Sequence, residues 1–132
     1  MIFVDTSFWV ATRLRNDSHH ADAVALLNES EGARLVTSNQ VRGETWTFLR
    51  RKDGHRTAVA FLDMLDATAR IDVLRVDDGL EGQAFRWLRR HDEREYSLVD
   101  ATSFALMRSL RIKEAFAFDG DFAAAGFVEL RP

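Results

Sequence analysis

"MIFVDTSFWV", residues 1–10, places three apolar residues before an aspartate, then two hydroxyl side chains, then a second apolar run. Ile2, Phe3 and Val4 read as a short buried strand, and Thr6-Ser7 ahead of Phe8, Trp9 and Val10 read as the start of a helix. Asp5 then stands at the carboxyl end of a strand. Two uses fit an aspartate there. It caps the helix by accepting backbone N–H groups, or it belongs to a functional site at the strand's end. The choice depends on whether other carboxylates join it.

Working outward, "NDSHHADAVALLNESEG" reads as a loop followed by a helix from about Ser18 that stops at Gly32. "ARLVTS" is a second short strand. "NQVRGETWTFLRRKDG" has Val41, Thr45, Phe48 and Leu49 along one side and reads as a helix ending near Gly54. "HRTAVAFLDMLDATAR" repeats helical spacing through Leu62, Leu65 and Ala69, and "IDVLRV" is a third strand. Asp77 and Asp78 open the helix "DDGLEGQAFRWLRRHD", whose early acids and late arginines suit the helix dipole. "YSLVDATSFALMRSL" is a largely apolar helix, "KEAFAF" a fourth strand, and "FVEL" a candidate fifth. Short strands alternating with helices predict an α/β fold, with a mainly parallel sheet of four or five strands covered by helices on both faces. In such sheets functional groups gather beyond the carboxyl ends of the strands.

The 132 residues match the size of one domain, residues 1–132. With 46% hydrophobic and 30% charged residues, the chain has enough apolar side chains to build a core and is not of the disordered class. No apolar run approaches the roughly 20 residues that span a bilayer, and Asp5 interrupts the amino-terminal apolar stretch too early for a secretory signal. A cytoplasmic location with no membrane partner is the expectation. With no cysteine, disulfides and thiolate metal sites are excluded, so any metal is held by oxygen or imidazole. The net charge of −3 argues against a uniformly basic nucleic-acid binder, though not against a local basic patch.

Most acids read as solvated, but besides Asp5 four do not. Glu44 lies at the edge of its helix's apolar stripe, and the residues three and four positions away are Gln40, Val41, Thr47 and Phe48, none of them a cation. Asp100 follows Ser97 by three residues, as in a capping box. It also lies in a helix that is apolar on most sides, where an unpaired charge needs compensation. In "AFAFDGDFAAAGF", Asp119 ends a strand as Asp5 does, and Asp121 follows after Gly120. An Asp-Gly turn is itself a common structural device. If these carboxylates converge, a cation must offset their repulsion, and a set of oxygen ligands selects a hard ion such as Mg²⁺ or Mn²⁺.

Four segments taken in order, "VDTSFW", "GETW", "SLVDATSFALM" and "AFAFDGDFAAAGF", resemble the PIN-domain ribonucleases, specifically the VapC toxins of prokaryotic toxin–antitoxin pairs. The likeness covers essentially the whole chain, and the order and spacing of the motifs carry it. It implies a PIN-like fold and an endoribonuclease whose acidic cluster binds Mg²⁺ or Mn²⁺. Residue by residue it implies Asp5, Glu44, Asp100 and Asp119 as catalytic, metal-holding acids, Asp121 as an auxiliary ligand or outer group, and Thr6 or Ser7 as a hydroxyl that orients a carboxylate or a water. Such a site lowers the pKa of water and stabilises charge on the attacked phosphate. In-line attack then releases the ribose 3′ oxygen and leaves a 5′-phosphate. The likeness also implies an RNA substrate, a cognate antitoxin protein and a homodimer.

Arg42, Arg50, Arg51 and Lys52, with His55 and Arg56, surround the Glu44 helix and offer a basic rim for RNA phosphates. The alternative is a solvated helix end favoured by its dipole. His19, His20, His55 and His91 read as surface residues rather than acid–base catalysts. Trp9 and Trp46 read as core or interface residues, and the family likeness favours the interface. Two other readings remain open: a catalytically degenerate PIN fold kept as a binding module, and a receiver-like signalling domain. The latter calls for paired acids after the first strand, where this chain has only Asp5.

Overall fold

The computed structural model describes residues Met1–Pro132. In chain order the elements are β1 (Ile2–Val4), α1 (Thr6–Arg13), α2 (His20–Glu29), β2 (Leu35–Ser38), α3 (Asn39–Asp53) and α4 (His55–Ala67). They continue with β3 (Ile71–Leu74), α5 (Asp78–Arg90), α6 (Leu98–Leu110), β4 (Glu114–Phe116), α7 (Asp121–Ala124) and β5 (Val128–Glu129). The expected α/β alternation is present, and the sheet is parallel throughout in the order β3-β2-β1-β4-β5.

β1 is the central strand. The chain adds β2 and β3 on one side of it and then returns to add β4 and β5 on the other. The gap between the carboxyl ends of β1 and β4 is therefore the topological switch point, where open α/β sheets place their ligand sites. Register fixes what meets there. Phe3 pairs with Ala115 and Val4 with Phe116, and the Asp5 backbone N–H donates to Phe116 O at 3.0 Å.

β1 and β2 are buried along their whole length, as a strand covered on both faces must be. Phe8 stacks on Phe116 with centroids 4.4 Å apart, while Trp9 meets Phe61 at 5.9 Å and Phe104 meets Phe122 at 5.0 Å. Each of these rings is fully buried and contributes roughly 1.5–3 kcal/mol by leaving water. Trp9 is thus a core residue, its indole N–H directed at Thr37 Oγ1 at 3.4 Å, and not the interface residue that family likeness favoured. Trp46 is half-buried and meets His55 edge-on.

Three local details differ from the sequence expectation. α2 starts at His20 rather than near Ser18, because Asp17 closes a turn first: its side chain accepts the His19 N–H and its carbonyl the His20 N–H. The Asp-Gly turn after β4 continues into the short α7, with Gly120 at φ +82°, a left-handed conformation that glycine adopts without strain. His20 is half-buried, its Nδ1 2.7 Å from Ala11 O, so it holds α2 to α1 rather than lying free on the surface.

Candidate metal centre

Asp5 is almost fully buried, although it is a charged residue one position beyond a strand. Its backbone is extended, so it caps α1: Oδ2 accepts the Ser7 N–H at 3.1 Å and the Ser7 hydroxyl at 2.7 Å. The Ser7 hydroxyl oxygen in turn accepts the Phe118 N–H at 3.0 Å. Ser7 thus ties the ends of β1 and β4 together through one oxygen. The cap and the site use the same carboxylate.

Asp100 repeats this arrangement. The Ser97 hydroxyl accepts the Asp100 N–H at 2.9 Å, and Asp100 Oδ2 accepts the Ser97 N–H at 3.0 Å, so the capping box is real. No protein donor reaches its other oxygen. Asp119, on the loop after β4, completes the group: one carboxylate oxygen each from Asp5, Asp100 and Asp119 lie within 4.8 Å of one another.

These acids are electrostatically unbalanced. Burial first, and then the charges of Asp119 and Asp100, hold the Asp5 carboxyl well above the usual carboxylate range. Burial pushes Asp100 up to about 6, with Asp121 and Asp119 adding to it against the Ser97 hydrogen bonds. Asp119 is exposed at the pocket mouth, yet lost hydration and the nearby Asp121 and Glu129 raise it as well. Such mutual destabilisation is common at functional sites.

The three aspartates line a cavity of about 370 Å³ together with Thr6, Ser7 and Glu44. No arginine or lysine lines it. Thr6 Oγ1 is buried there without a hydrogen-bond partner. Glu44 stands on the rim: it is exposed, forms no ion pair and lies outside the close cluster. A second cavity of about 750 Å³ runs alongside, shares Glu44 and Phe48 with the first, and is lined by Arg51 and Lys52. Arg50 is exposed and Arg42 half-buried on the same helix, α3. Asp121 does not join the cluster. Its Oδ1 holds the Arg94 guanidinium at 2.9 Å, and its backbone N–H donates to Asp119 Oδ1 at 3.1 Å.

An all-oxygen donor set, unbalanced negative charge and an orphaned hydroxyl suit a hard divalent cation. Several residues at this pocket escaped sequence reasoning, among them Phe118, Asp17 and His19. His19, taken for a surface residue, lines the cavity and stacks on Phe118. Only its neighbour Asp17, a turn-forming residue ahead of the helix, hinted that its backbone was fixed.

Aspartates meeting at the switch point of a five-stranded parallel sheet are the arrangement expected of a PIN domain. The PIN-domain family model matches residues 2–128, and the chain belongs to that family. Within it, the chain is 56% identical to the 23S rRNA-specific endonuclease VapC20 of two Mycobacterium tuberculosis strains, CDC 1551 and H37Rv, over 133 aligned positions covering 100% of this chain and 99% of the relative. The crystal structure of M. tuberculosis VapC20, described as a sarcin–ricin loop cleaving toxin, matches with a TM-score of 0.95 at 53% identity over 100% of both chains. FitAcB from Neisseria gonorrhoeae matches with a TM-score of 0.69 at 16% identity, over 98% of this chain and 96% of that one, a likeness of fold alone. The VapC-type resemblance of the four sequence motifs is thereby borne out.

Proposed function

We propose that the protein is the endoribonuclease toxin of a toxin–antitoxin pair, and that it cuts the sarcin–ricin loop of 23S rRNA, leaving a 5′-phosphate. The observation that carries the chemistry is the convergence of Asp5, Asp100 and Asp119 within 4.8 Å at the sheet's switch point. The full-length likeness to VapC20, a 23S rRNA-specific endonuclease and sarcin–ricin loop cleaving toxin, supports the substrate.

Asp5, Asp100 and Asp119 would hold Mg²⁺ or Mn²⁺, with Glu44 reaching in from the rim. When bound, such a cation acidifies water and draws off charge from the attacked phosphate. The protein's own part is preorganisation. Ser7 fixes one Asp5 oxygen, and the Ser97 N–H fixes one Asp100 oxygen, so neither carboxylate must reorient when substrate arrives. Thr6 Oγ1, with no partner in the protein, is free to orient a water or a ligand oxygen. Asp121 acts from outside, bracing Asp119 through its backbone N–H and holding Arg94. Arg51 and Lys52 line the adjoining groove and hold RNA phosphates there, and Arg42 and Arg50, on the same helix but outside the groove lining, add positive charge nearby. The cognate antitoxin and a homodimer complete the assembly.

The test is cleavage of total cellular RNA by the purified protein with Mg²⁺ or Mn²⁺, with EDTA and Asp5→Asn as controls and the cut ends mapped. Cuts confined to the sarcin–ricin loop, bearing 5′-phosphates and lost in both controls, are the expected outcome. Cleavage that survives both EDTA and Asp5→Asn would rule out the acidic site as its source.

A further inference from the structure

One wall of the acidic cavity is aromatic. His19 and Phe118 line it together, their ring centroids 4.4 Å apart and their planes within 2° of parallel. Neither imidazole nitrogen bonds to the protein; the only hydrogen bond of His19 to a side chain is from its backbone N–H, which Asp17 Oδ1 accepts at 2.8 Å. The Phe8 ring also stacks on Phe118 at 5.7 Å, and the Arg131 guanidinium lies 4.9 Å from the Phe118 centroid. The Phe118 N–H donates to the same Ser7 hydroxyl that holds Asp5. The plane of the ring pair is thus fixed relative to the carboxylate at the centre of the chemistry.

This arrangement does not suit the ordinary uses of histidine. A metal ligand would join the carboxylate group, and His19 does not. A structural histidine bonds through its ring, as His20 does to Ala11 O. What remains is the flat face. Nucleobases stack on aromatic rings with little regard to sequence, and in RNA only bases already out of the helix are free to do so.

We propose that the His19–Phe118 pair is the platform on which an unpaired nucleobase beside the cleaved phosphodiester stacks. This rests on the nuclease reading above and deepens it: the pocket selects RNA loops because a base in continuous duplex cannot reach the platform.

The test uses a stem–loop RNA of the sarcin–ricin sequence, with binding measured in EDTA and cleavage measured separately in Mn²⁺. His19→Ala raises Kd roughly 5- to 100-fold and lowers kcat/KM by a similar factor, in line with the usual effect of losing one base–aromatic stack. His19→Phe, which keeps the ring and loses the nitrogens, stays within about twofold of wild type on both measures. A fully paired duplex of the same length binds wild type and His19→Ala equally. Normal cleavage by wild type together with unchanged Kd and kcat/KM in His19→Ala overturns the platform alone. Equal losses in His19→Ala and His19→Phe also overturn it, because they assign the role to the ring nitrogens. Wild-type protein that neither binds nor cuts the loop RNA overturns the nuclease reading itself, and the platform with it.

Discussion

Asp100 shows at the scale of one residue how the fold bears the cost of its site. Its carboxyl is raised from 3.8 to about 6, chiefly by burial. Between those values the folded protein keeps a proton that the unfolded chain has already shed. Asp100 therefore contributes an increment of stability to the metal-free protein that is fully present below about pH 4 and is lost as pH rises toward 6. Allowing for screening at a partly open site, the loss is about 1–2 kcal/mol. Asp100→Asn keeps the cap, since an amide oxygen still accepts the Ser97 N–H, but it removes the charge. The expected outcome is a metal-free variant that melts roughly 4–8 °C higher than wild type at pH 7 and declines less steeply in stability between pH 4 and 6, the part due to Asp5 and Asp119 remaining. Its cleavage of RNA falls by roughly a thousandfold, the effect of several kcal/mol of lost transition-state stabilisation. Thermal melts across pH, paired with the cleavage assay, check both halves. A variant less stable than wild type at pH 7 would show that the cap outweighs the charge.

At the scale of elements, Ser7 joins three of them: it lies in α1, bonds the carboxylate that ends β1, and receives the N–H that follows β4. Ser7→Ala leaves both the Asp5 carboxylate and the Phe118 N–H short of a partner, at about 1–3 kcal/mol. It also loosens Asp5, which keeps only the Ser7 backbone N–H, so kcat falls more than KM rises; chemical denaturation and steady-state kinetics separate the two effects. Much of this architecture was legible in the sequence. "IFVD" announces a strand that ends in an acid, the Ser97/Asp100 spacing announces a capping box, and the alternation of strands and helices announces a parallel sheet. Each of these signals is local. What the sequence could not show depends on partners far apart in the chain. Arg94 takes up Asp121 from 27 positions away, which no helical or turn spacing encodes. His19 gains its setting from Phe118, 99 positions further along the chain, against which its ring stacks. Trp9 looked available as an interface residue because its burial follows from α4, through Phe61, rather than from its own neighbours. Glu44 was singled out for lacking a helical cation, and that lack holds, but its place on the rim rather than in the cluster follows from how α3 lies against the sheet.

For the whole molecule, the decisive feature is that the chain reverses its direction of growth at β1, so the acids after β1 and β4 share one crevice although the chain runs through most of the fold between them. The helix α6 brings Asp100 to the same place from outside the sheet. Three carboxylates held this close, with no arginine or lysine lining their cavity, give the metal-free native state a repulsion that the unfolded chain escapes. A ligand that binds only the folded state stabilises it by mass action, by about 2.7 kcal/mol at a hundredfold excess over its Kd. Mn²⁺ or Mg²⁺ is therefore expected to raise the melting temperature by several degrees at pH 7.5, and EDTA to reverse the rise. Because a proton on Asp100 competes with the cation, the rise shrinks as pH falls below about 6. In Asp5→Asn the metal-free protein melts higher than wild type, while the response to metal is largely lost. Scanning calorimetry of both proteins across metal concentration and pH reads these effects together. A rise that is equal in wild type and Asp5→Asn, or independent of pH between 5 and 7.5, would place cation binding elsewhere on the surface and remove the acidic cluster from the mechanism.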